Sequence, residues 1–500
     1  MSPLQPQTRE LLVRIERSGR SRVGPQLEEQ LRNAIRSGTL APGSDLPSGR
    51  SLAEDLSVSR GVVVRAYAQL AAEGYLELRQ GANPSVRGIP QQAEREPAQS
   101  SSPPAEQGAK LRYDLRSHQP ELSTFPRQAW LQSLRHALRT AADSDLGYID
   151  ERGLKQLRAE ISRYLGRARG VAADPEQIVV TAGSTHTLSL IFRALARGGA
   201  TLIGFENPSH WLLHAVARRA GLTPVGIPLD RQGLRVDALR AANVGAVVVS
   251  PAHQFPTGAA LSADRRAALV LWARETGGLI IEDDYDAEFR YYRAPIGALQ
   301  GLSPEQVAYI GSVSKTLSPG IRLGWAVLPS DLVASVGGEL FCSVLQISGI
   351  DQLALADFLL RGEFDRHMRR MRAVYRRRRD ALVGALESRL PLMPVNGIAA
   401  GLHVVIELAS TAAETAVVEE AKARGLAIES LSRHALPGYT GPPGLLIGYG
   451  AIPHPTIPDA IEQLAQALAA GTGSALANGR FSQPCGGLEN NGGTPPRAGR

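Results

Sequence analysis

Between residues 88 and 110 the chain reads GIPQQAEREPAQSSSPPAEQGAK, a stretch of Pro, Gln, Ser and Glu with almost nothing to bury. Such a segment cannot join a packed core, because its few apolar groups do not offset the conformational entropy lost on ordering it. The 500 residues must therefore fold on either side of it, and a chain of that length already exceeds what one hydrophobic core supports. The expected organisation is a small domain over 1–87, a flexible linker over 88–110 and a large domain over 111–470. A disordered Gly/Pro/Asn-rich tail is expected over 471–500.

Composition excludes several classes. No run of about 18 apolar residues occurs, so no membrane span is expected. The opening MSPLQPQTRE lacks the apolar stretch of an export signal. Two cysteines, Cys342 and Cys485, lie too far apart in sequence for a disulfide framework or a cysteine zinc site. A cytoplasmic location, in a bacterial cytosol, follows as the expectation. The net charge is +7, yet residues 1–90 carry twelve arginines against nine acidic residues, a small excess. Charge alone points to nucleic acid only weakly, and the residue pattern has to make that case.

Residues 24–38 place Leu27, Leu31, Ala34 and Ile35 on one helical stripe, ended by Gly38. Ser48 then reads as an N-cap, with Leu52, Ala53 and Leu56 facing inward. The tight turn Ser57-Val58-Ser59 leads to a second helix over 60–73, closed by Gly74. Two short helices joined this way form a helix-turn-helix, whose second helix enters the major groove of double-stranded DNA. Ser59, Arg60 and Arg65 fall at or near the groove-facing end. Tyr75–Val86 (YLELRQGANPSV) reads as a hairpin wing with Gly81 at its tip. The whole string, PGSDLPSGRSLAEDLSVSRGVVVRAYAQLAAEGYL, resembles the GntR family of winged-helix regulators over about residues 22–87. By that resemblance Arg50, Ser59, Arg60 and Arg65 contact phosphates or base edges. The tip Gly81-Ala82-Asn83-Pro84 departs from the Gly-Ser-Gly-like tip usual in the family.

The chain holds four lysines. Lys110 sits in the linker, and Lys155 and Lys422 sit on polar helical faces. Lys315 differs, because it ends the apolar run VAYIGSVSK and precedes TLSPGIRLGW. A lysine at the end of a buried strand is desolvated, which lowers its pKa and makes the amine nucleophilic, as a Schiff base to pyridoxal phosphate requires. Upstream, GGLIIEDDYDAEFRY opens a strand (Leu279–Ile281) into carboxylates and tyrosines. A carboxylate there could pair a pyridinium nitrogen and a tyrosine could bond a phenolic oxygen. Glu282, Asp283 and Asp284 could equally solvate a strand end or bind a metal. The run VGAVVVSPAHQFPTG is another buried strand with a polar loop. IVVTAGSTHTLSLIFRAL is a strand, a Gly183-Ser184-Thr185 turn and a helix whose N-terminus suits a phosphate. Four such strand-end loops in one α/β chain point to one ligand site.

Residues 113–468 resemble a fold type I aminotransferase, and the wording SPAHQFPTG, IIEDDYDAEFRY and SVSKTLSPGIRLG is that of the MocR-type subfamily of GntR regulators. The resemblance implies an α/β fold: a winged helix-turn-helix linked to a mostly parallel central sheet with a small C-terminal α+β subdomain. It implies that Lys315 forms the Schiff base and that Asp283 pairs the pyridine nitrogen, with Asp284 one step away. Tyr285 would bond the phenolic oxygen, with His253 or Gln254 beside it. Arg322 would clamp the phosphate, helped by Ser312, Ser314, Gly183, Ser184 and Thr185. His210 stands where the subfamily usually has a tyrosine stacked on the ring. Two arginines that grip an effector carboxylate in amino-acid-sensing members are missing: Leu212 holds one place, and GPPGLLIGYG holds none. Arg433 is the near candidate. The function so implied is transcription control by a homodimer that senses the cofactor itself, or a small amine or amino-acid effector. The alternative is an active aminotransferase with an accessory DNA-binding domain. Arg369–Arg379 (RRMRAVYRRRR) is expected to be an amphipathic helix with Met371, Val374 and Tyr375 inward and its arginines outward.

Overall fold

The computed structural model describes residues 13, 15, 23–87, 111–286, 288–291, 296–397 and 400–471. The linker expected at 88–110 lies outside them. So does the expected tail, except Gly471, which ends the helix Ile457–Gly471. The chain separates into two compact units, residues 1–107 and 108–500.

In the first unit, helix Val23–Arg36 buries Leu27, Leu31 and Ile35, the stripe expected from their spacing. Ser48 caps helix Gly49–Asp55 by accepting the Ser51 N–H at 3.1 Å, and Leu52 and Ala53 turn inward. Ser57 takes a left-handed φ of 51°, which reverses the chain into helix Arg60–Ala72. That helix buries Val63, Ala66, Tyr67 and Leu70, so its polar face is left outward. Leu76–Glu77 pairs antiparallel with Ser85–Val86 as the wing, with Gly81 at φ +81° between them.

The second unit is built on an eight-stranded sheet. Its order is Ile178–Thr181, Gly324–Val327, Val307–Ser312, Leu279–Asp283, Ala246–Val249, Leu202–Asn207, Thr223–Asp230 and Gly233–Leu234. Gly324–Val327 runs against both of its neighbours, and the two-residue edge strand closes a hairpin; the other pairings are parallel. Helices cover both faces, which is why strands such as Ile178–Thr181 and Ala246–Val249 are buried throughout and apolar on both sides. A four-stranded antiparallel sheet forms the C-terminal subdomain: Val395–Asn396, His403–Glu407, Gly444–Gly448 and Glu429–Ser430.

The arginine-rich segment belongs to the long helix Glu363–Arg389. Met371 and Tyr375 are buried as expected, but two of the arginines do not face outward. Arg378 is buried against Glu121 and the Gly450 carbonyl. Arg379 is fully buried with its guanidinium 4.5 Å from the centre of the Tyr291 ring. Their long stems carry apolar surface into the core, while the charges find a carboxylate, a carbonyl and a ring.

Candidate functional site: a cleft at the strand ends

Parallel strands Ala246–Val249, Leu279–Asp283 and Val307–Ser312 end on one edge of the sheet, and their following loops meet there. Lys315 lies three residues beyond the last of them. Its Nζ donates to the His118 carbonyl at 2.5 Å. Burial depresses its pKa against the opposing pull of Asp286, Glu429 and Asp283.

The adjacent carboxylates Asp283 and Asp284 are separated by their partners. Asp284 is taken by Arg169 Nε at 2.7 Å and by the Tyr309 hydroxyl at 2.6 Å, all deeply buried. Asp283 keeps one edge on the cleft, but its Oδ1 is sealed from solvent with no hydrogen-bond partner among the described residues. Burial, with Asp284 and Asp286 nearby, raises its pKa to about 7. Such a carboxyl is suited to meeting a cation. Glu282 is spent on the backbone N–H groups of Leu299 and Gln300, both at 2.9 Å. Among the described residues no cluster suited to a metal occurs.

Tyr285 and His253 meet at 3.0 Å (hydroxyl to Nδ1), and Asp286 braces the same nitrogen at 3.0 Å. Gln254 does not share this role. Its amide nitrogen goes to the Pro208 carbonyl at 2.8 Å and its oxygen accepts from the Thr257 hydroxyl at 2.6 Å. Of the pair His253 and Gln254, the histidine is the one turned to Tyr285. His210 caps helix Trp211–Arg219 by accepting the Leu212 N–H, and its ring lies 5.7 Å from His434 and 5.3 Å from Phe255. Burial lowers its pKa to about 4, so the ring is neutral.

The opposite end of the cleft gathers anion-binding groups. Gly183, at φ +99°, precedes the 14-residue helix Ser184–Arg197, whose first turn carries Ser184 and Thr185 and has no side-chain cap. A Cβ on Gly183 would stand 3.6 Å from Arg322 Nη1 and 3.7 Å from Ser314 Oγ, so these three surround one small space. Gly324 lets the chain in close, since a Cβ there would fall 2.7 Å from the Gly183 Cα. Ser312 accepts the Ser314 N–H at 3.4 Å and shapes the loop. Backbone N–H groups, hydroxyls and a guanidinium make a cradle for a phosphate.

These features have counterparts among known proteins. Residues 115–431 match the family described as Aminotransferase class I and II, and residues 24–83 match Bacterial regulatory proteins, gntR family. The HTH-type pyridoxine biosynthesis transcriptional regulator PdxR of Corynebacterium glutamicum is 35% identical over 457 residues, covering 89% of this chain and 96% of its own. The probable rhizopine catabolism regulatory protein MocR of Rhizobium meliloti is 30% identical over 464 residues, covering 89% and 93%. The chain belongs to the MocR-type subfamily of GntR regulators. Among solved structures, an archaeal alanine:glyoxylate aminotransferase superposes with a TM-score of 0.67 at 26% identity, over 72% of this chain and 91% of that one. A MocR-type chain is a transcriptional regulator whose aminotransferase-like domain implies pyridoxal phosphate. The donor set fits that group: an amine, a carboxyl with one buried, unpartnered oxygen, a tyrosine–histidine pair and groups suited to a phosphate.

In the DNA-binding unit of this MocR-type regulator, Arg50, Ser59, Arg60 and Arg65 are all exposed. Ser59 precedes helix Arg60–Ala72 without capping it by its side chain, and Arg50 pairs loosely with Glu54 at 3.2 Å. Arg60 and Arg65 have no ion-pair partner among the described residues. Arg433 is exposed and stacks over Trp211, 4.4 Å from the ring centre. Among the described residues no helix is long and apolar enough to cross a membrane.

Sequence reasoning missed His118, Asp286, Glu429 and His434. Asp286 was within reach, two residues past Asp284 in the same acidic run. The His118 contribution is a backbone carbonyl, which leaves no mark on residue type. Glu429 and His434 come from the C-terminal subdomain, more than 100 residues from Lys315, and only folding brings them to the cleft.

Proposed function

We propose that this regulator controls transcription by sensing pyridoxal phosphate at Lys315, together with amines that compete with Lys315 for it. The observation that carries the reading is the sealed Asp283 Oδ1 on one side of a low-pKa lysine, with the Gly183–Ser314–Arg322 cradle on the other. Bound pyridoxal phosphate supplies an aldehyde for a primary amine and a ring that draws electrons. The chain's own groups do the rest. Arg322, Ser314 and the first turn of helix Ser184–Arg197 hold the phosphate. Asp283 holds a proton at the pyridine nitrogen, and Tyr285, oriented by His253, donates to the phenolic oxygen. His210 would cover one face of the ring. Asp284, tied to Arg169, braces the strand end that presents Asp283.

The name of the C. glutamicum relative, a pyridoxine biosynthesis regulator, supports the cofactor as a signal. Exposed Arg50, Ser59, Arg60 and Arg65 are the groups offered to DNA, and a homodimer acting in the cytosol would present two such heads to two half-sites. The absence of an arginine from both Leu212 and GPPGLLIGYG disfavours ordinary turnover of amino acids, which needs the carboxylate gripped.

The test loads the full chain with pyridoxal phosphate, reduces it with borohydride and maps the modified peptide. Modification at Lys315, absent in Lys315→Ala, is expected. Loading is also expected to change affinity for the chain's own upstream DNA in the wild type only. Modification at another lysine, or DNA affinity indifferent to loading, would refute the proposal.

A further inference from the structure

The face of the cleft beyond Lys315 is lined by groups that no catalytic or phosphate role absorbs. Glu429 is the anionic one, its side chain only 10% exposed. It stands on the subdomain edge strand, directly opposite Leu446 of the strand GLLIG. One of its oxygens, Oε2, accepts from the Ser117 N–H at 2.9 Å and the Ser117 hydroxyl at 2.5 Å, while Oε1 approaches His118 Nδ1 at 3.4 Å. His118 also supplies the carbonyl that receives the Lys315 amine, so one residue touches both Lys315 and Glu429. Burial pulls the Glu429 pKa upward, but the bonds from His118 and Ser117 outweigh it and hold the carboxyl ionised, below the usual range.

Beside it stands His434, 1% exposed, whose two ring nitrogens are both buried and without hydrogen-bond partners among the described residues. Burial, with Arg433 nearby, depresses its pKa against the opposing pull of Glu429, leaving a neutral ring with one nitrogen to accept a hydrogen bond and one to donate. The guanidiniums of Arg116 and Arg433 lie within electrostatic reach of this face. Arg116 is held by Asp114 through bonds of 2.9 and 2.6 Å, and Arg433 lies over Trp211 at the surface. The buried Glu429 anion repels a ligand carboxylate and favours an ammonium, to which the imidazole beside it can offer its acceptor nitrogen.

We infer that the effector site beside Lys315 selects a diamine, a primary amine whose far end is a second ammonium seated against Glu429 and His434, and rejects amino acids. The inference rests on the reading of Lys315 as the cofactor lysine. It assigns Glu429 as a specificity residue and does more than treat it as a strut for Ser117 and His118. Glutamine at 429 keeps an oxygen for the Ser117 bonds and removes only the charge, so it separates the two roles.

The experiment titrates the cofactor-loaded full chain with 1,4-diaminobutane and with 4-aminobutyrate, reading the visible spectrum of the bound cofactor and the thermal midpoint. The diamine is expected to act at a concentration about tenfold or more below that of the amino acid, the scale of one charge-assisted contact. In Glu429→Gln that ratio is expected to collapse toward one. Equal response to both ligands in the wild type, preference for 4-aminobutyrate, or response to neither would overturn the inference, and the wild-type ratio decides this even if the variant fails to fold. A ratio unchanged in a folded Glu429→Gln would leave Glu429 a strut and overturn it too. A chain that does not take up pyridoxal phosphate at Lys315 would instead bring down the underlying reading, which the loading step reports separately.

Discussion

Replacing Asp283 by Asn tests the cleft through stability, before any ligand is added. Burial and two neighbouring carboxylates lift the Asp283 pKa from 3.8 to about 7. A folded pKa above the unfolded one means that the folded chain binds the extra proton, so stability falls as pH rises between those values and is level above them. At about 1.4 kcal/mol per unit the loss is about 4 kcal/mol, an upper figure because Asp283 keeps an edge on the cleft. Roughly 2 to 3 kcal/mol of it falls between about pH 5 and pH 8. Asparagine has the same shape and does not titrate. The four tryptophans, Trp130, Trp211, Trp272 and Trp325, all belong to the second unit, so their fluorescence follows its urea unfolding alone. The cofactor-free wild type is expected to lose about 2 to 3 kcal/mol more than Asp283→Asn over that pH interval. With pyridoxal phosphate present at about pH 8, the order reverses, because a pyridinium partner stabilises the carboxylate and gives asparagine nothing. Parallel pH profiles for the two proteins without cofactor would refute the reasoning.

Two further changes probe the phosphate cradle and the DNA surface. Gly183→Ala forces a side chain into a φ of +99° and toward Arg322 and Ser314. A destabilisation of about 1–3 kcal/mol and at least tenfold weaker uptake of pyridoxal phosphate are expected by thermal melts and equilibrium dialysis. Arg60→Ala should weaken binding to upstream DNA and lower the slope of log affinity against log salt by about one, measured by fluorescence anisotropy. An unchanged slope would remove Arg60 from the phosphate contacts.

Much of this protein is legible from residue order because it depends on local physics. The spacing of Leu27, Leu31 and Ile35, the cap at Ser48 and the reversal at Ser57 specify the helix-turn-helix before any long-range contact forms. The strand VAYIGS running into Ser314 and Lys315 likewise singles out one lysine of four, since only that one follows a buried strand. Tertiary structure decided what depends on partners distant in sequence. Asp283 and Asp284 are equivalent as neighbours in a string, and differ because Arg169, 115 residues away from Asp284, reaches only the second. His253 and Gln254 are separated the same way, by Tyr285 and Asp286 on one side and the Pro208 carbonyl on the other. Arg378 and Arg379 look like solvent residues until Glu121 and the Tyr291 ring are folded against them. The face proposed for an effector draws Glu429 and His434 from the C-terminal subdomain: a charge acts through distance and burial, and the order of residues along the chain carries neither.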